Sequence, residues 1–175
     1  MTPETVFTIG HGTRPVEELV DCLAGAGVAT LVDIRRFPVS RRNPQFDRDR
    51  LAASLDAAGI AYRHLEELGG RRSGEPGEER FACIRESAFR SYLARMDRPA
   101  WQEALAVALA EPAPCLMCAE TVWWRCHRRL VADLLVARGT PVVHLLRPHD
   151  ARPHRLGDEA EARQGRLYVC GSVVA

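Results

Sequence analysis

The stretch Leu116-Met-Cys-Ala-Glu-Thr-Val-Trp-Trp-Arg-Cys-His-Arg-Arg-Leu130 decides the fold. It joins an apolar run, residues 114–118, to an amphipathic run, residues 126–138. In the second run Leu130, Val131, Leu134 and Leu135 recur at helical spacing, and Gly139 supplies a stop. A short apolar run closed by polar residues predicts a buried strand, so the unit is a strand feeding a helix. Such a junction is where open α/β sheets bind ligands. Two thiols, a carboxylate, an imidazole and several guanidiniums sit at this one.

The same alternation extends in both directions. Strands are predicted over residues 6–9, 29–33, 61–65 and 141–146, and helices follow Pro15, Asp47 or Asp49, and Pro99. A further helical stretch is expected over residues 80–95. Uniformly apolar strands alternating with helices imply right-handed parallel crossovers and a sheet covered on both faces. The expected fold is therefore a single α/β domain over residues 1–175, a Rossmann-like parallel sheet of about five strands. Its core is residues 5–147 and its polar tail residues 148–175, with one late edge strand near residues 166–170. Parallel strands share one C-terminal edge. There the chain places Gly10-His11-Gly12-Thr13-Arg14, Asp33-Ile34-Arg35-Arg36, residues 66–72 and residues 118–128.

Composition bounds the function. The chain has 175 residues, 46% apolar and 27% charged, as in ordinary globular proteins. Its formal charge of +1 argues against a nucleic-acid partner on average charge alone, so that partner is kept as a second option. All 24 basic residues are arginine, which binds carboxylate and phosphate bidentately. The start lacks the pattern of a signal peptide, and no apolar run approaches the ~20 residues of a membrane span, so a cytoplasmic protein without membrane contact is expected. Six cysteines at irregular spacing then give no disulfide framework.

Cys118, Glu120 and His11 are the candidate catalytic residues. Cys118 is either a nucleophile activated by nearby cations and a helix start, or a small buried residue. Glu120 is a candidate general base. His11, between two glycines, lies where backbone can approach a ligand. Thr13, Arg14, Arg35, Glu67, Arg71, Cys126, His127 and Arg128 are candidates for binding the substrate or its anion, the last three at a helix N-terminus, and Asp33 could bind a ribose hydroxyl or simply hold Arg35. Trp123 or Trp124 could stack on a flat ring.

No metal or cofactor is assigned. His64-Leu-Glu66 with Cys115 and Cys118 matches the letters of a zinc deaminase pattern, but residues three apart on a strand face opposite ways and lie roughly 10 Å apart. A zinc site at Cys118, Cys126 and His127 with His11 or Glu120, or a Cys118–Cys126 redox pair, stays open as an alternative. The loop from Gly69 to Gly77 is a lid candidate.

Thr8-Ile-Gly-His-Gly-Thr-Arg14, Val32-Asp-Ile-Arg-Arg-Phe-Pro38, Asn43-Pro-Gln-Phe46, Leu65-Glu-Glu-Leu-Gly-Gly-Arg-Arg72 and Met117-Cys-Ala-Glu120 with Cys126-His-Arg128 occur in that order. Together they resemble the domain-of-unknown-function family numbered 488, from Thr8 to Leu146. The resemblance implies a compact cytoplasmic α/β domain and supplies no activity. It marks His11, Arg35, Glu67, Arg71, Cys118, Glu120, Cys126, His127 and Arg128 as presumed site residues without assigned steps. The function expected from the residues is an enzyme acting on a phosphorylated or nucleotide-like small molecule. The rivals are a nucleic-acid or nucleotide binding module and a thiol-based transfer or redox protein.

Overall fold

A computed structural model describes residues 4–175. Its sheet has the order β3-β2-β4-β1-β5-β6. These strands are β1 Val6–Gly10, β2 Thr30–Asp33, β3 Ala61–His64, β4 Pro114–Cys118, β5 Val142–Arg147 and β6 Asp150–Pro153. The first five are parallel, and β6 pairs antiparallel with β5. Helices α1 Val16–Gly25 and α2 Arg48–Ala57 cover one face. On the other face lie α3 Ser87–Arg95, α4 Pro99–Ala110 and α5 Arg128–Ala137.

Strand alternation sorts the core into two clusters. On β4, Cys115 and Met117 pack with α1 and α2, while Leu116 and Cys118 pack with α4 and α5. Cys115 and Cys118 thus face opposite ways, which removes the deaminase-like pairing. Burying Leu116, Leu130, Leu134 and Leu135 contributes roughly 1.5–3 kcal/mol each. No described helix is long and apolar enough to cross a membrane.

The sheet is close to the one expected, five parallel strands with β6 folded back on β5 as an antiparallel sixth. Several local expectations need correction. Strand β3 is an edge, with Ala61 and Arg63 exposed, rather than uniformly apolar. Residues 80–95 do not form one helix: a 3-10 turn at Glu78–Phe81 precedes α3. The α5 helix begins at Arg128, with Cys126 still extended. Asp47 precedes α2, but its carboxylate accepts from the Ser40 amide instead of capping the helix.

The last segment is no polar tail. Beyond β6 it forms a separate sheet of β7 Ala160–Arg163, β8 Arg166–Val169 and β9 Ser172–Val173, so β8 is not an edge of the main sheet. Leu167, Val169 and Val174 join the same core cluster as α5. Cys83 and Cys170 form a disulfide across 87 residues of chain, against the expectation of none. That separation leaves no local spacing from which to read the pairing.

Candidate functional site

The segments after β1, β2 and β4 meet at one rim, joined by the 66–72 segment after β3. Past the end of β1, His11 and Gly12 donate their amides to the carbonyls of Cys118 and Ala119, both at 3.0 Å. Gly10 is required by this approach: a Cβ there would lie 1.7 Å from the Glu120 carbonyl oxygen and 2.7 Å from Arg128 Nη2.

Two buried arginines organise the rim. Arg35 forms a fork on Asp33, with Nε to Oδ1 at 2.9 Å and Nη2 to Oδ2 at 2.6 Å. The Tyr62 hydroxyl donates to Oδ2 at 2.7 Å, and burial and the Asp33 charge push its pKa up. The remaining Arg35 nitrogen, Nη1, lies 3.3 Å from His11 Nε2. His11 Nδ1 lies 2.9 Å from the Gly12 carbonyl, so the neutral ring donates there and accepts from Arg35. Burial and the Arg35 charge lower the His11 pKa to about 4, against the opposing pull of the Gly12 bond. Phe46 stacks on this ring with centroids 4.3 Å apart.

Arg128 is 1% exposed and has no carboxylate partner among the described residues. Its Nε donates to Cys118 Sγ at 2.9 Å, Nη1 to Thr8 Oγ1 at 3.3 Å and Nη2 to the Glu120 carbonyl at 2.5 Å. Guanidinium does not lose its proton in proteins, and a buried charge needs an opposite one. The sulfurs of Cys118 and Cys126 lie 2.6 Å apart beside it. Such a pair titrates as a unit. Burial opposes ionisation of Cys126, but the bond from Cys118 and the Arg128 charge outweigh it and bring the pKa down to about 7. Burial and the bond to Cys126 keep the Cys118 thiol well above its usual value. The thiol pair, and not a carboxylate, is thus the ionisable neighbour of Arg128.

His127 stands beside them. Its Nε2 is 3.3 Å from the Ile34 carbonyl and its Nδ1 3.5 Å from Cys126 Sγ. Burial, with the Arg128 charge adding to it against Cys118, lowers its pKa and keeps the ring neutral. Gly70 permits this packing, since a Cβ there would lie 2.8 Å from His127 Nδ1.

A second chain of buried groups runs away from Arg128. Thr8 Oγ1 meets His144 Nδ1 at 2.6 Å, His144 Nε2 meets His154 Nδ1 at 2.9 Å, and His154 Nε2 meets Asp133 Oδ1 at 3.0 Å. His144 is held neutral, so its ring donates to one of these neighbours and accepts from the other. Burial and the neighbouring His154 lower the His144 pKa to about 3, which fits that assignment. Trp123 stacks on His144 at 4.3 Å, so this tryptophan packs, whereas Trp124 is 50% exposed.

A cavity of about 300 Å³ opens over the thiol pair. Cys118, Cys126 and His127 form its floor, while Arg36, Arg71 and Arg125 line it without any described carboxylate partner. Phe37, Phe89 and Tyr92 supply apolar wall, and Glu120 stands exposed at the edge. Guanidinium forks match carboxylate and phosphate oxygens, and the aromatic surface suits a flat or apolar portion of a ligand.

The candidate residues divide accordingly. His11, Arg35, Arg71, Cys118, Glu120, Cys126 and His127 reach this cavity. Arg128 lies behind the sulfurs, and Asp33 is fully buried and already bonded by Arg35 and Tyr62. Thr13 and Arg14 line a separate depression with Arg147, where Arg14 pairs with Glu18 at 3.3 Å. Glu67 pairs with Arg95, away from the cavity. The Gly69–Gly77 loop contributes Gly70 and Arg71 to the wall. Among the described residues, no group of three or more His, Cys, Asp or Glu side chains is arranged to hold a metal ion.

Sequence reasoning assigned no role to Arg125, Thr8, Asp133, His144 or His154. Signals existed: His144 interrupts an apolar strand, and Asp133 sits within the buried stripe of α5. No curated protein and no solved structure matches the chain. Residues 15–135 match the model of a protein family, described as a domain of unknown function, DUF488. That match spans Arg35, both thiols and Arg128, and on it the chain belongs to the DUF488 family.

Proposed function

We propose that the protein is an enzyme acting on a phosphorylated or nucleotide-like small molecule by thiol chemistry. The observation that carries this reading is a buried, carboxylate-free Arg128 against a thiol pair at the floor of an arginine-rimmed cavity. A thiolate is the nucleophilic form of cysteine, and a cation is what stabilises it near neutral pH. Cys126 is the attacking sulfur, and Cys118 and Arg128 support its charge. His127 Nδ1 is the nearest base. Glu120, at the edge, serves as general acid or base for the departing group. Arg36, Arg71 and Arg125 hold the anion, while Phe37, Phe89 and Tyr92 take the flat portion. Arg35 and Arg128 act from within rather than as direct anion ligands, because their hydrogen bonds are committed.

The test is a panel of inorganic phosphate, nucleoside phosphates and sugar phosphates. A ligand at a hundred times its Kd stabilises the fold by about 2.7 kcal/mol, a measurable rise in Tm. The expected result is such a rise for at least one class, slower alkylation of Cys126 by iodoacetamide in its presence, and loss of both effects in Arg71→Ala with Arg125→Ala. A panel that neither raises Tm nor slows alkylation contradicts the reading.

A further inference from the structure

The thiol pair has a geometry that a single nucleophile does not need. Its sulfurs are 2.6 Å apart, and a disulfide needs about 2.05 Å. One sulfur ends a rigid parallel strand, and the other sits just before α5. Bond formation therefore requires a shift of about half an ångström, by comparison with that disulfide length. The two thiols also differ in the way a two-step thiol reaction requires. Cys126 ionises near neutral pH, while Cys118 keeps its proton. We propose that Cys118 and Cys126 form a dithiol centre that reduces small hydroperoxides. This goes beyond the reading above: it rests on the same thiolate but acts on a different class of substrate and needs no bound anion.

The class of oxidant follows from access. The two cysteines are 2% and 4% exposed at the bottom of the cavity. A disulfide of another protein would have to bring its own sulfur to that depth, whereas a small peroxide enters. The reaction balances as follows. The Cys126 thiolate attacks one oxygen of the peroxide; an S–O bond forms and the O–O bond breaks. The departing alkoxide or hydroxide takes a proton from solvent and leaves as alcohol or water. Cys118 then attacks the Cys126 sulfenic acid, an S–S bond forms, and the Cys118 proton leaves with the hydroxyl as water. Two thiols lose two electrons, and the peroxide gains them. Reduction by a low-molecular-weight dithiol restores the pair.

The other cysteines give no competing route. Cys22 and Cys115 lie in the core cluster on the opposite sheet face, and Cys83 is already joined to Cys170. The oxidation product is therefore a defined Cys118–Cys126 link.

The experiment treats the folded, dithiothreitol-reduced and desalted full chain with hydrogen peroxide near neutral pH, without phosphate. Intact mass and peptide mapping read the product. The expected outcome is a Cys118–Cys126 link in the peptide map, two hydrogens lost at that pair apart from any lost as Cys83 and Cys170 rejoin, and reversal by dithiothreitol. Cys118→Ser should stop at a Cys126 sulfenic acid that dimedone traps, and Cys126→Ser should leave Cys118 unoxidised. A wild-type protein that stays reduced, or that over-oxidises at Cys126 without a link, overturns the proposal. A link in a protein that ignores every anion of the panel upholds the dithiol reaction and removes the substrate class. Anion binding without a link removes the dithiol reaction alone.

Discussion

Arg35 and Arg128 are both buried arginines at the same rim, yet their charges are met in different ways. Arg35 has a carboxylate, Asp33, fixed by four donors. Arg128 has sulfur, hydroxyl and carbonyl partners. The first pair carries a permanent balance of charge. The second is balanced when a thiol gives up its proton, so its balance depends on pH. The comparison teaches that burial of a guanidinium marks two different devices: a strut where the partner is a carboxylate, and a tuned thiol where it is not.

The largest expected effect comes from breaking each centre. Arg35→Met strands the Asp33 carboxylate, and removal of one member of a buried pair costs about 3–5 kcal/mol. Arg128→Met should cost clearly less, because the thiol pair recovers its proton. Urea unfolding of both variants at neutral pH checks the order; an equal or larger loss in Arg128→Met would erase the distinction.

A smaller effect follows from the buried imidazoles. His11 and His144 are held neutral down to about pH 4 and about pH 3 respectively. In the unfolded chain both take protons near pH 6.5. Between those limits the unfolded state binds more protons, so stability falls as pH drops below about 6.5. Each group contributes a slope of up to about 1.4 kcal/mol per pH unit. Tm measured from pH 7 to 5 should decline, and His11→Asn should decline less steeply. An unchanged slope in that variant would show that His11 is not held neutral.

The smallest effect belongs to Tyr62→Phe. It removes one of the bonds on Asp33 and should cost about 1 kcal/mol by denaturant unfolding, because Arg35 still satisfies the carboxylate. A loss as large as that of Arg35→Met would mean that the hydroxyl, and not the guanidinium, holds this centre.

Much of the arrangement was legible in the chain. Apolar runs each ending in polar, arginine-rich segments implied a shared rim, and β1, β2 and β4 do end there. The rule of alternating strand faces separated Cys115 from Cys118 before any coordinates. What escaped depends on distance in space. Asp33 and Arg35 are two residues apart, so a fork between them could be anticipated; the partners of Arg128 come from two separate strands, Thr8 on β1 and Cys118 with Glu120 at the end of β4. The Asp133–His154–His144–Thr8 chain spans a helix, the post-β6 segment and two strands, and no periodicity connects them. The disulfide and the C-terminal meander escaped for the same reason: the tail looks polar up to Arg166, the run 166–170 reads as an edge strand, and only in space do Leu167, Val169 and Val174 join the core cluster of α5.

The central claim is that Arg128 is balanced by a thiolate. The direct measurement is the pH dependence of Cys126 alkylation by iodoacetamide, followed by peptide mass, in the wild type and in Arg128→Met. The account predicts a wild-type midpoint at about 7 that moves upward once the guanidinium is gone. Coincident midpoints in the two proteins would contradict it.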